Sequence, residues 1–155
     1  TRISVEYIFQ KTIQNRNPVQ HVKMAGRKSR HRSKTRKSVP LEKKRKYYSY
    51  QIFVNNNKGM NILESEKIHD QSIWYKNPEN NVDVKKYIGI AVSVLDDEKV
   101  NFILQIDFLD DFKVGKKDSE EEIKNFVDQY LLSYVNIVTL AYLLNLNSKK
   151  ELNEV

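Results

Sequence analysis

The sequence predicts an α+β domain, an antiparallel β-sheet with helices packed on one face and a long carboxy-terminal helix. Three features predict it. Two ribbons rich in apolar and β-branched residues, Lys86 to Leu95 and Val100 to Phe108, flank a polar turn, Asp96-Asp97-Glu98-Lys99. The chain opens on a segment that alternates apolar and polar residues. Its last third carries apolar residues at the helical period.

Thr1 to Thr12 puts Ile3, Val5, Tyr7 and Phe9 on one face and Arg2, Ser4 and Glu6 on the other, the period of a strand. Asn15, Asn17 and Pro18 mark a turn. Val19 to Lys28 alternates more weakly and is expected to pair antiparallel with the first strand; its far end runs into a basic stretch, Arg27 to Lys37. From Glu42 to Asn55, Tyr47, Tyr50, Phe53 and Val54 recur at helical spacing, although the Tyr and β-branched content also suits a strand. A helix is the preferred reading, with Gly59 ending it. Met60 to Glu64 reads as a short strand, and Gln71 to Tyr75 as another extended piece before a loop from Asn77 to Asn81.

The hairpin of Lys86–Leu95 with Val100–Phe108 is apolar on both faces, which predicts central strands covered on both sides. Ser119 with Glu122 forms a capping-box pattern, and Glu120-Glu121-Glu122 suits the positive end of a helix dipole. Ile123, Phe126, Val127, Tyr130, Leu131, Tyr134, Val135 and Val138 then hold the helical period. The helix is expected to run for roughly seven turns, to end near Asn145 to Ser148, and to sheathe one side of the hairpin strands. Residues 1–148 are thus read as one domain, with a basic arm over Lys23–Lys46 and a polar tail from 149 to 155.

Composition narrows the chemistry. Cysteine is absent, which excludes disulfides, thiolate nucleophiles and cysteine-ligated zinc. Charged residues make up 30% of the chain. No apolar run reaches the roughly 18–20 residues of a membrane span; the most apolar stretch, Tyr130 to Leu146, is interrupted by Ser133, Asn136 and Thr139 and reads as a buried helix. No signal peptide is visible, and a cytoplasmic location is expected. The chain opens at Thr1 and not at methionine, as expected of a piece of a longer protein. Net charge is +7, unevenly spread: residues 1–50 hold 15 Lys or Arg against Glu6 and Glu42, whereas the remainder is net acidic. Such a bipolar field attracts an anionic partner to one end, or favours contact between copies.

The carboxy-terminal third resembles the end of a GAF domain. In that family a strand with a short acidic turn leads into a strand reading roughly "gvLsID", then a loop and a terminal helix. Here Tyr87-Ile88-Gly89-Ile90-Ala91-Val92-Ser93-Val94, Asp96-Asp97, Phe102-Ile103-Leu104-Gln105-Ile106-Asp107-Phe108 and the helix from Asp118 follow that order. Arg2-Ile3-Ser4-Val5 resembles the family's first strand, and Ser38-Val39-Pro40-Leu41 the approach to its cross-over helix. Two features depart from the family. The helix that usually precedes the first strand is missing, and charged residues Glu42 to Lys46 stand where a glycine often opens the cross-over helix. The resemblance implies a sensory or regulatory module of a larger bacterial signalling protein, without catalysis or a cofactor, that binds a small ligand between sheet and cross-over segments or mediates dimerisation. Of the family's cyclic-nucleotide signature only Asn57-Lys58 is present; no Phe is followed at the required spacing by Asp-Glu.

Tyr47, Tyr50, Phe53, Trp74 and Tyr75 lie where the resemblance implies a pocket, with Asp107 at the end of its strand; a role as ordinary core is the commoner one for such aromatics. The basic run, with Arg27, Lys28, Arg30, Arg32, Lys34, Arg36 and Lys37, suits a polyanion, either nucleic acid or an acidic protein. A solvated arm is the plainer reading, and no known nucleic-acid motif accompanies it. His21, His31 and His69 are scattered and expected at the surface, without metal-ligand spacing. Asp107, Asp110 and Asp111 are read as loop-fixing and solvent-facing, not as cation ligands. The long terminal helix is the expected surface for a homodimer.

Overall fold

Six strands form one antiparallel sheet: β1 (Arg2–Lys11), β2 (Val19–Lys28), β3 (Val39–Pro40), β4 (Gly59–Leu63), β5 (Lys86–Val92) and β6 (Phe102–Phe108). The computed structural model in which they are seen describes residues 1–11, 17–28, 38–76, 78, 82–94 and 98–151, with the side chains of 25–28 and 145–151 excepted. Strand order is β3-β2-β1-β6-β5-β4. The amino-terminal strand therefore sits in the middle, between its hairpin partner and the strand that ends the carboxy-terminal hairpin. With its helices the chain has the α+β architecture that the strand and helix patterns predict.

The chain falls into two compact units, Thr1–Phe112 and Lys113–Val155. In the first, the segment between β3 and β4 is a 3-10 turn, Leu41–Lys44, followed by α1 (Tyr48–Asn55). The single helix expected from Glu42 to Asn55 is thus broken at Arg45–Tyr47. Gly59 was expected to end it, but Asn56 does so, in the left-handed conformation with φ of 52°. Asparagine tolerates that region better than most residues; here Asn56 Oδ1 accepts from the backbone N–H of the distant Val100 at 3.3 Å, which ties the helix end to the loop before β6. Gly59, with φ of 81°, opens β4 instead. A short helix not expected from the sequence, α2 (Ser65–His69), follows β4. The extended piece expected at Gln71–Tyr75 begins as a turn, in which Asp70 Oδ1 accepts from the N–H and hydroxyl of Ser72. That is the local bonding by which aspartate competes with extended backbone.

Strand register fixes which side chains share a face. Ser4 lies opposite Gln105, Arg2 opposite Asp107, Tyr87 opposite Asp107 and Leu63 opposite Tyr87. On this face Ile8, Val22, Leu63, Tyr87, Ala91 and Ile103 pack with Leu41, Ile52, Phe53 and Ile68 from the covering turn and helices. Every position of β5 from Lys86 to Ala91 is buried. A bulge in the β1–β2 pairing between Val5 and Glu6 leaves Ala25 without a partner, a device that re-aims side chains where it occurs.

The second unit consists of a loop, α3 (Glu120–Phe126), a π-helical turn (Val127–Leu131) and α4 (Leu132–Glu151). Ser119 and Glu122 form the reciprocal capping box that the sequence predicts. The Glu122 carboxylate accepts from three backbone N–H groups, those of Lys116, Lys117 and Ser119. The helix runs on to Glu151, beyond the end expected at Asn145 to Ser148. It differs from the expected buried helix in a second way: Tyr130, Leu132, Tyr134, Ile137, Leu140 and Leu144 are all about half exposed or more. Its apolar residues run nearly all round it, so one covering surface leaves many of them outside. Glu120–Leu144 is long and apolar enough to cross a membrane. Of the interrupting polar residues, Thr139 is satisfied within the helix, its Oγ1 donating to the carbonyl of Val135.

Candidate binding cavity on the sheet

The polar face of β1 is its buried face. Ser4 and Glu6 are 6% and 4% exposed, whereas Ile3 on the apolar face is 40% exposed. Arg2, Ser4 and Glu6, with Gln105 and Asp107 of β6, make a polar floor in the centre of the sheet. Lys44, Tyr47 and Tyr48 roof it from the 3-10 turn and the start of α1, and Trp74, Tyr75 and Val84 close it from the other side. The cavity they line, with Lys76 at its edge, is partly open to solvent and measures about 100 Å³. A second hollow of about 190 Å³ adjoins it and shares Glu6, Met24, Lys44 and Tyr47.

Two ion pairs bound the cavity. The Arg2 guanidinium holds Asp107 Oδ2 with Nε and Nη2, which leaves Nη1 buried without a partner. Lys44 Nζ donates to Glu6 Oε1 at 3.0 Å, and Glu6 Oε2 is buried without a partner. The Glu6 and Lys44 side chains are 5% and 11% exposed. Burial of this depth makes each charge dependent on its mate, because an unpaired ion costs several kcal/mol to desolvate, on the order of 3–5 kcal/mol when one partner is removed. Lys44 Nζ also stands 4.5 Å from the centre of the Tyr47 ring, and Lys46 Nζ 5.5 Å from that of Tyr75. The two rings meet edge to face.

Beneath the floor lies Tyr87, fully buried. Burial pushes its phenol well above the ordinary tyrosine range, and the charges of Asp107 and Glu6 push the same way. It therefore stays protonated and donates to Gln105 Oε1 at 3.2 Å. Tyr48 packs edge-on against the Tyr87 ring, with Trp74 tilted against it; burial raises the Tyr48 phenol too. The cavity is thus lined by aromatic rings and paired charges, an arrangement suited to holding a polar molecule.

Four of the six pocket residues expected from the sequence, Tyr47, Trp74, Tyr75 and Asp107, line this cavity. Phe53 is part of the apolar core, and the Tyr50 hydroxyl donates to Glu42 Oε1 on the outside. Arg2, Glu6, Lys44 and Gln105 were not singled out. The one signal, for Arg2 and Glu6, was the charged, alternating face of the first strand; Lys44 and Gln105 had none. Of the basic residues, Arg27 and Lys28 close β2 with side chains outside those described, and Arg30, Arg32, Lys34, Arg36 and Lys37 lie outside the described residues. Asp110 and Asp111 are exposed, and among the described residues no cluster of His, Cys, Asp and Glu is arranged to hold a metal. His69 is exposed, but His21, expected at the surface, is only 4% exposed. Strand β3 pairs across it at Pro40, and the Phe9 ring lies 6.0 Å away. Desolvation there, and then the charge of Lys11, lower its pKa. His31 lies outside the described residues. No protein-family model matches the chain, and no curated protein is significantly similar to it in sequence.

Proposed function

We propose that the chain is a sensory or regulatory module of GAF-like type within a larger signalling protein, one that binds a small molecule on the sheet and acts without catalysing a reaction. The observation that carries this reading is the polar cavity on the sheet, lined by two buried ion pairs and a cluster of aromatic rings. Arg2, Ser4, Glu6, Gln105 and Asp107 place five polar side chains beside the rings of Tyr47, Tyr48, Trp74 and Tyr75 on one cavity, a lining suited to orienting a small polar molecule. The sequence resemblance supports the same reading, since it implies a ligand between sheet and cross-over segments. Native mass spectrometry of the chain, followed by a thermal-shift screen with small polar metabolites, tests it. A retained molecule or a saturable rise in melting temperature is the expected result. A chain that carries nothing and responds to no compound would end the proposal.

The module is further proposed to dimerise through α4. Tyr134, Ile137, Ala141 and Leu144 are all exposed on that helix. Their spacing of three, four and three residues is that of a coiled-coil seam, which a second copy of the same helix complements. Localisation in the cytoplasm belongs to this reading, as does the absence of a membrane anchor in this stretch.

A further inference from the structure

The π-helical turn at Val127–Leu131 decides which side of the last helix is covered. Ile123, Val127 and Val135 are buried, and Leu131, Val138 and Tyr142 partly so. Ile123, Val127, Leu131 and Val135 follow one another at steps of four residues. An unbroken α-helix of 3.6 residues per turn would carry Val135 roughly 120° round from Ile123 and set Tyr134 within roughly 20° of it. The π turn takes up the extra residue, the N–H of Leu132 donating to the carbonyl of Val127, five residues back. Val135 is consequently 6% exposed and its neighbour Tyr134 61% exposed. Single π turns of this kind recur at functional sites in helices.

Two apolar stripes result, one residue apart. Leu131, Val135, Val138 and Tyr142 form the covered stripe; Tyr130, Tyr134, Ile137, Ala141 and Leu144 form the exposed one. The exposed stripe is the one that continues the phase of Ile123 and Val127 in steps of three and four residues. Ser133 and Asn136 belong to neither. Both stripes are apolar enough to be covered, and the state of the turn selects between them. We infer that the last helix exchanges between two registers one residue apart, and that pairing of two copies through α4 selects the register with the π turn; this rests on the dimer reading above. With the turn relaxed to α, the helix beyond it rotates by roughly 100°, the angle of one residue. Tyr134 then takes the covered side and Val135 the open one. A second copy paired through Tyr134, Ile137, Ala141 and Leu144 fits the present register alone, so association holds the π turn and dissociation releases it.

The full chain contains no cysteine, so a single introduced thiol reports its own cover. Maleimide labelling of Val135→Cys and Tyr134→Cys is followed over a range of chain concentrations, with sedimentation measured in parallel. Ile123→Cys, at a position 1% exposed ahead of the turn, reports opening of the whole fold. Labelling of Val135→Cys is expected to slow at least five-fold as the dimer forms, while that of Ile123→Cys does not follow it. Deletion of Gln129, an exposed residue of the turn, removes the extra residue and fixes the present faces on a continuous α-helix. It is expected to slow Val135→Cys at least ten-fold in the monomer and to leave Tyr134→Cys reactive; should the deletion variant fail to fold, the concentration series decides alone. Val135→Cys labelling that neither dimer formation nor the deletion slows overturns the exchange, as does labelling that changes in step with Ile123→Cys. A chain that stays monomeric at every concentration overturns the dimer reading and with it the selection by a second copy, whereas the effect of the deletion on Val135→Cys still decides whether the two registers exist.

Discussion

The Tyr87 phenol occupies the space where a side chain at Gly89 would stand: a Cβ built on Gly89 lies 2.5 Å from Tyr87 Oη. The two residues are neighbours on the cavity face of β5, and Gly89 lies opposite Gln105, which accepts the Tyr87 hydrogen bond. Glycine here makes room for the ring that supports the cavity floor. Gly89→Ala is expected to displace the phenol and destabilise the fold by about 1–3 kcal/mol, the usual cost of overpacking. Urea unfolding of Gly89→Ala, Tyr87→Phe and the double variant checks it. The double variant should lose less than the sum, because removing the hydroxyl relieves the closest contact. Strict additivity would count against the contact.

The Glu6–Lys44 pair makes a sharper prediction. Lys44→Met leaves a buried carboxylate alone and is expected to cost on the order of 3–5 kcal/mol. Adding Glu6→Gln removes the stranded charge and should recover most of that loss. Both variants are read by chemical denaturation at neutral pH. A surface pair would move stability by less than about 1 kcal/mol in either variant, an outcome incompatible with the burial described for these side chains.

How far these features were legible in the sequence depends on the distance over which each is determined. The β5–β6 hairpin is local and apolar on both faces, so its pattern admits one reading. Ser119 and Glu122 are three residues apart and announce their cap directly. Lys44 and Glu6, by contrast, are 38 residues apart, and nothing in either neighbourhood shows that they meet. Arg2 and Asp107 meet only because β1 inserts beside β6. Alternation in the first strand correctly separates its two faces, but the rule that apolar side chains turn inward would have sent Ser4 and Glu6 to solvent. The aromatic residues of the cavity were visible by composition; their charged companions were hidden by topology.

Glu122 ties stability to pH. Desolvation acts to raise its pKa, but the backbone N–H donors of Ser119, Lys117, Lys116 and Asp118 together outweigh it and hold the carboxyl below its ordinary value. A carboxyl whose folded value is depressed stabilises the fold above its unfolded value, and that contribution is lost as pH falls through the folded value. Glu122→Gln should therefore lower stability at neutral pH and flatten its decline in acid, as followed by urea unfolding at a series of pH values. Gly115→Ala should act on the same nest, since it would put a Cβ 2.5 Å from that carboxyl at a φ of 74°. An unchanged acid limb in Glu122→Gln would remove the group from the explanation.

Charge reversal of Arg30, Arg32, Lys34 and Arg36 separates the module from a basic adaptor. The ligand and dimer surfaces proposed above use none of these residues, so ligand binding and oligomeric state should both survive reversal. Retention on DNA or on an acidic protein at low salt is the matching measurement. Retention that is steeply salt-dependent and vanishes on reversal would favour the adaptor instead.

The seam on α4 is tested by Ile137→Glu, which sets a charge at the centre of the proposed dimer contact. Ile137 is 64% exposed, so the substitution is expected to leave the fold of the single chain intact, within about 0.5 kcal/mol for a surface change. It should shift the sedimentation equilibrium from dimer towards monomer, because two like charges would face each other across the seam. A lipid surface is the competing occupant, given that Glu120–Leu144 is long and apolar enough to cross a membrane. The two occupants separate cleanly. A chain that is dimeric in dilute buffer and fails to float with neutral lipid vesicles supports the seam, whereas a monomer that floats and loses flotation on Ile137→Glu assigns the same face to the bilayer.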